Sequence, residues 1–247
     1  MRKFLLGTVG LAALAMAAPA VAADLAPAYV KTVEPFYDWS GYFLGINIGG
    51  GWSHNCWTNT SFLGVATVPG VAEGCNTATG GLAGGEAGYR WQVSSLVFGL
   101  EAQGDWANLS ASNASFFNPG TSNQTQTDAL ALFTGQIGYA WNNVLWYVKG
   151  GAALAHNTYN GLAAGAGFDQ AAETRLGSAA GAGIELGFAP NWSFALEYDH
   201  GFMGSKNLTF TAIPVAAISR NDSINLGVDM VTARVNLHFG GPVVAKY

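Results

Sequence analysis

The chain has 247 residues, half of them apolar by type but only 10% charged, with a formal net charge of −5. A soluble protein carries roughly a quarter charged residues, so an ordinary water-soluble globule is a poor match. The acidic balance and the lack of a basic tract exclude a nucleic-acid partner.

Residues 1–23 read as a secretory signal peptide: Arg2 and Lys3 form the positive start, an apolar run follows, and APAVAA is a small-residue cleavage zone. Beyond it no apolar run is long enough for a spanning helix. Residues 24–40, kinked at Pro27 and Pro35, read as a flexible leader.

From there the pattern has period two. Strand one is GYFLGINIGGGW, with Tyr42, Leu44, Ile46 and Ile48 on one face. Residues 53–78, polar to mixed, read as a long loop that holds Cys56 and Cys75, the only cysteines. In an exported chain a disulfide is the leading reading of that pair. Metal binding lacks support, because neither a CxxC nor a close histidine pair accompanies them.

Strand two, TGGLAGGEAGYRW, sets Tyr89 and Trp91 against Glu86 and Arg90, and strand three, LVFGLEAQGDWA, sets Phe98 and Leu100 against Glu101 and Asp105. Residues 108–125 form the second expected loop. Residues 132–154 are a hairpin around Asn142-Asn143, a pair that tolerates positive φ. Tyr139, Trp141, Trp146 and Val148 share its outer face, with Lys149 on the other. Residues 157–172 are the third loop. Strand six opposes Ile184 and Leu186 to Arg175 and Glu185, and strand seven opposes Trp192, Phe194 and Leu196 to Glu197 and Asp199. After a fourth loop, 203–221, the last strand ends in VTARVNLHF, with Val235 and Phe239 opposite Arg234. Ile224, Leu226, Val228 and Met230 lie on the other parity from Val231, which predicts a β-bulge or the membrane boundary near Met230-Val231.

Eight strands, with short turns and long loops in strict alternation, describe an all-β, closed, antiparallel up-and-down transmembrane barrel over 41–240, followed by a tail at 241–247. A soluble barrel has the same period. Three features decide for the membrane. Aromatics collect at the short turns (Tyr42, Tyr89, Trp91, Tyr139, Trp141, Trp146, Trp192, Phe239), as in an interfacial girdle. The opposite faces combine charge of both signs with glycine, as a crowded lumen does. Closure also pairs every backbone group, which hydrocarbon requires. The expected lumen set is Glu86, Arg90, Glu101, Asp105, Lys149, Arg175, Glu185, Glu197, Asp199 and Arg234, paired across strands. Acids outnumber bases in it, so some carboxylates must keep water or share a proton.

These stretches carry a resemblance over the whole chain. ADLAPAY after the signal, WSGYFLGINIGGGW, GQIGYAWNNVLWYVKGGAA, GAGIELGFAPNWSFALEYDH and RVNLHFGGPVVAKY are similar to the alphaproteobacterial outer-membrane immunogenic proteins. These are porin-family barrels related in shape to OmpA-like eight-stranded barrels. The resemblance implies the cell outer membrane, surface exposure and an envelope-structural role. Channel activity for small solutes is the alternative that the word porin suggests. Partners would be outer-membrane lipid and lipopolysaccharide, the barrel-assembly machinery during biogenesis, and an unnamed surface ligand. One departure stands out: arginines common on the middle lumen strand are replaced here by Thr134 and Gln136.

Enzyme signals are missing. His54, His156, His200 and His238 are scattered, with no HExxH, GxSxG or Walker loop. Asp199 and His200 are adjacent, but neighbours on a strand point to opposite faces. The expectation is a non-enzymatic protein without cofactor or metal.

Overall fold

In the computed structural model, residues 37–239 are described; the expected signal peptide, most of the leader and the 241–247 tail lie outside them. Eight strands follow in order: β1 (Gly41–Phe62), β2 (Val65–Val93), β3 (Leu96–Ala114), β4 (Thr121–Trp141), β5 (Val144–Ala163), β6 (Ala166–Ala189), β7 (Trp192–Ala212) and β8 (Ile218–Phe239). Each pairs antiparallel with the next, and β1 pairs with β8, so the sheet closes into a barrel. The fold class read from the alternation is the fold observed.

The strands are much longer than expected. Residues 53–78 are not a loop: β1 and β2 stay in register through Ser53↔Ala78 and Cys56↔Cys75, and the chain turns only at residues 63–64. The third loop shrinks to a turn at 164–165, while the second and fourth shrink to 115–120 and 213–217. Leu63-Gly64 and Ala164-Gly165 each place two consecutive residues at positive φ (49° and 82°, 48° and 81°), the requirement of a tight mirror-image hairpin turn. The reason these ladders escape the sequence pattern is physical. Above the membrane both faces can be polar, so the alternation keeps its period and loses its amplitude.

Height follows from strand length. A 22-residue strand such as β1 at about 3.3 Å per residue, tilted by about 40°, rises roughly 55 Å, against an apolar band about 25 Å tall. On β1 the outward residues run from Tyr42 through Leu44, Ile46 and Ile48 to Trp52, then turn polar at His54. The upper half of the wall therefore stands beyond the outer leaflet. Tyr42, Trp91, Tyr139, Trp141, Trp146, Trp192 and Phe239 are exposed on the outer wall near the short turns, and the Tyr42 and Tyr89 rings meet edge-to-face at 4.6 Å. A second tier, Trp52, Trp106 and Phe202, flanks the band at its other end, with Trp106 81% exposed.

The disulfide Cys56–Cys75 is formed, directly across the β1–β2 ladder on the outer face and above the band. Of the two expectations for Met230-Val231 the bulge is absent, because β8 keeps register there with both β1 (Gly51↔Met230, Gly50↔Val231) and β7 (Asp199↔Met230, Tyr198↔Val231), whereas the edge of the apolar band does fall at this level, where Trp52 pairs with Asp229. Ile224, Leu226, Val228 and Met230 point inward with Thr232 and Arg234. Parity never changes; the lumen lining changes from polar to apolar.

Leu196 faces outward on β7, paired with Ile184 and Ala233. Leu196→Arg should cost about 2–4 kcal/mol in urea titrations of the protein refolded into vesicles, because it exposes a charge to hydrocarbon. A cost near zero would place this wall outside the lipid.

Candidate functional site: a layered lumen

Narrowness makes the lumen a packing problem. Eight strands leave an interior just wide enough for side chains, and inward glycines make the room. A methyl group at Gly183 would overlap the Tyr147 ring, and one at Gly187 the Tyr37 ring.

The periplasmic mouth is corked from below by residues that precede β1. Tyr37 and Trp39 are buried with their rings 4.4 Å apart, and both meet His238 edge-on. The Trp39 amide donates to Gln92 Oε1 at 2.8 Å, and the Gln92 amide donates to Ser40 Oγ at 3.1 Å. These residues belong to the expected leader, yet they are fixed in the mouth. Burial, followed by the repulsion of Glu185, raises the Tyr37 phenol pKa far above its ordinary range, so it stays protonated. Above the cork, the Arg90 guanidinium lies 4.3 Å from the Phe43 ring centre and pairs with Glu185 at 2.7 Å. Glu185 also accepts from Ser193 and from Asn236.

The next layer turns on Arg234 of β8. It reaches Glu101 at 2.9 Å, Glu86 at 3.2 Å, Glu197 in close contact and Asp199 at 3.8 Å, and it donates to Gln103 at 2.6 Å. Lys149 of β5 joins it through Glu101 at 3.0 Å, Asp199 at 3.3 Å and Glu197. Asp105 touches neither cation and instead accepts from Gln103 at 2.8 Å. Three cations, Arg90, Lys149 and Arg234, thus face six carboxylates: Glu86, Glu101, Asp105, Glu185, Glu197 and Asp199. Neutral donors serve several of these acids: Tyr147 Oη donates to Glu197 at 2.7 Å and Asn47 to Glu86 at 3.5 Å. Thr134 and Gln136 also point inward and are buried.

Above this ionic layer lies an apolar one, with Leu82, Leu109, Leu130, Leu132, Met203 and Leu226 among its members. Arg175, expected among the lumen charges, sits higher and apart from the Arg234 group. It pairs with Glu173 and donates to the carbonyls of Gly204 (2.8 Å) and Ile224 (2.9 Å).

A last layer fills the part above the membrane. Trp57 packs on Tyr159 and Phe210, with ring centres 5.4 and 5.5 Å apart. Over them Arg220 gathers Glu73 (2.8 Å), Asp169 (3.1 Å) and Asp222 (3.3 Å). Sequence reasoning missed this cluster, because its residues lay in or beside expected loops. The available signal was parity: Arg220, Asp222 and Arg234 share the even positions of β8. Burial, with repulsion from Glu73 and Asp169 and against the pull of Arg220, pushes the Asp222 carboxyl up to about 7. Burial likewise raises Asp169, against Arg220.

On the outer wall, Asp199 and His200 part as adjacent residues must. Asp199 enters the lumen, while His200 Nδ1 lies 2.6 Å from Asp229 Oδ1, which also accepts from Tyr198 Oη at 2.6 Å.

The geometry can be set beside known proteins. The family model described as outer membrane protein beta-barrel domain matches residues 8–239. The 25 kDa outer-membrane immunogenic protein of Brucella abortus biovar 1 is 27% identical, over 89% of this chain and 94% of that protein. The 31 kDa outer-membrane immunogenic protein of Brucella melitensis biotype 1 is 28% identical, over 91% and 92%. Among solved structures, the outer membrane protease OmpT from Escherichia coli superposes with a TM-score of 0.50 at 9% identity, covering 81% of this chain and 97% of that one. That likeness concerns the fold alone.

Two predictions arise from the layers. Arg234→Ala leaves Glu86, Glu101 and Glu197 short of their shared cation and should destabilise the barrel by about 3–5 kcal/mol, the usual cost of breaking a buried pair; vesicle refolding titrations measure it, and a harmless change would mean a wet lumen. The second concerns pH. Asp222 binds its proton more tightly folded (about 7) than its ordinary 3.8, so the upper ladder loses stability as pH rises between those values. Hydrogen-exchange protection factors of upper β8 should be higher at about pH 5 than at about pH 8, each unit of pKa difference being worth about 1.4 kcal/mol at most. Asp222→Asn should remove most of the difference.

Proposed function

The chain belongs to the outer-membrane β-barrel family, and from that premise we propose that it is a sealed envelope barrel whose work is done at its outer surface. The observation that carries this is the stacking of closed layers along the lumen. A solute entering from outside would have to pass Arg220 and its three acids, the Trp57 aromatics, the apolar layer, the Arg234–Lys149 network and the Tyr37–Trp39 cork. Each layer by itself costs free energy to open, either by exposing apolar side chains or by separating desolvated charges. In this reading the lumen charges, Glu86, Arg90, Glu101, Asp105, Lys149, Arg175, Glu185, Glu197, Asp199 and Arg234, fill and brace the wall.

The outer surface has two zones. Outer-membrane lipid meets the apolar band. Just above it the outward residues become polar, with His54, Asp128, His156 and Asp229; this belt lies at the level where lipopolysaccharide headgroups would bond. We assign the chain no catalysis. The His200–Asp229 pair is engaged by Tyr198 at the lipid boundary, with the Phe202 ring edge-on to the His200 ring and its centre 4.3 Å away. Insertion of so long a closed ladder would call on the barrel-assembly machinery, since unpaired strands cannot cross hydrocarbon alone.

Planar-bilayer recording separates this reading from the channel alternative. The purified protein should add no large, steady conductance. A persistent open state in the wild type would make the lumen a pore and sink the proposal.

A further inference from the structure

The four outward hairpins end in an unusual surface. Residues 55–72, 106–127, 157–168 and 207–219 contain no charged side chain at all. Within them large apolar residues are open to solvent: Val68 is 87% exposed, Val215 76%, Phe116 75% and Val65 71%, with Leu63 and Ile218 also exposed. The tips join into one crest. The Leu63 amide donates to the Ser219 carbonyl at 2.9 Å, tying the first hairpin to the fourth, and the Ile213 amide donates to the Phe168 carbonyl at 2.8 Å, tying the fourth to the third. Phe62 and Phe117 bring the second hairpin in, with ring centres 5.8 Å apart. The crest exposes apolar surface on the order of several hundred Å², at or above the largest patch of a typical soluble protein. The nearest ionised cluster, around Arg220, is buried beneath it.

We propose that this crest docks onto a second lipid surface, that of an apposed, zwitterionic bilayer, by seating its aliphatic tips at the headgroup–acyl boundary. The inference rests on the reading that the barrel works from its outer surface. The tips stand roughly 25 Å or more beyond their own apolar band, so their own membrane cannot cover them. Copies in one membrane point the same way and cannot meet crest to crest. Protein hot spots favour Trp, Tyr and Arg and use Leu and Val sparingly, whereas Leu63, Val65, Val68, Val215 and Ile218 dominate here. The exposed aliphatic residues sit at the tips of separate hairpins, an arrangement suited to a soft, featureless surface. With no Lys or Arg in these stretches, the crest gains nothing from anionic lipid, where each basic residue is worth about 1 kcal/mol. Attraction is then apolar burial alone, and it should ignore salt.

The test uses the full mature chain in nanodiscs, mixed with phosphatidylcholine vesicles and floated on a density gradient beside empty nanodiscs. Wild-type discs should float with the vesicles equally well at about 0.1 M and about 1 M salt, since no charge pair is there to be screened. Adding phosphatidylserine should not improve binding. Val68→Asp combined with Val215→Asp, both at open tip positions that fill no interior space, should lower the bound fraction at least about tenfold by placing charge where burial is needed. Heat-modifiable gel mobility checks that the variant barrel is intact, and Val68→Asn with Val215→Asn serves in its place if it is not. Absence of wild-type flotation, binding that demands anionic lipid, or binding unchanged by the tip substitutions would each overturn the proposal. Pairing of loaded discs without vesicles would assign the crest to a second copy and overturn it too. If flotation fails while planar bilayers stay silent, the lipid partner is wrong and the sealed barrel stands.

Discussion

Hydrocarbon outside and a packed interior inside leave each backbone amide in the wall one place to bond, the neighbouring strand. Everything else follows from that. The sheet must close, so β1 has to meet β8. Closure with eight strands sets a lumen too narrow for bulk water, so the inward side chains bond chiefly to one another. Because the wall cannot yield, the filling has to match it in volume and in hydrogen bonds. Glycines opposite Tyr37 and Tyr147 and the many-sided bonding of Arg234 and Glu185 are two answers to that requirement.

The layering has a chemical logic. At membrane depth the outer face must be apolar, so the polar residues that keep the chain from being a featureless hydrophobic run lie inward. There, desolvated charges survive because they bond to several partners at once: Arg234 spans Glu86, Glu101 and Glu197, acids drawn from three different strands. Higher up, towards the outer edge of the band, the lumen turns to Leu82, Leu109 and Met230. Still higher, Arg220 with Glu73, Asp169 and Asp222 closes the top. These two charged centres stand at different levels along one axis, on either side of the apolar layer, so each fixes the barrel at its own level.

The disulfide belongs to the same account. Cys56 and Cys75 face each other across the ladder well above the band, in the part of the wall that no lipid supports. Strands beyond the membrane lose the constraint that hydrocarbon places on their hydrogen bonds, because water can compete for them. A covalent link between β1 and β2 and a filled aromatic and ionic interior compensate for that loss.

Wherever one face of a strand meets lipid, the linear pattern was enough. The alternation of Trp192, Phe194 and Leu196 with Glu197 and Asp199, the Asn142-Asn143 turn and the even strand number determined strand count, topology, in–out orientation and membrane location, because hydrocarbon imposes a one-sided chemistry that period two reports directly. The pairing partners of Arg234, the separation of Arg175 from that network and the cork made by Tyr37 and Trp39 were decided only in three dimensions, since closure brings together residues from strands distant in the chain. The upper ladders were likewise hidden. There, polar Asn55 and Asn59 inside and Thr58 and Thr60 outside offer no contrast to read, and extension is set by neighbouring strands that supply bonding partners. Ile224 to Met230 mimic a change of face for the opposite reason: there the contrast is inverted, because the lumen itself turns apolar while Asn225 and Asp229 lie on the outer face.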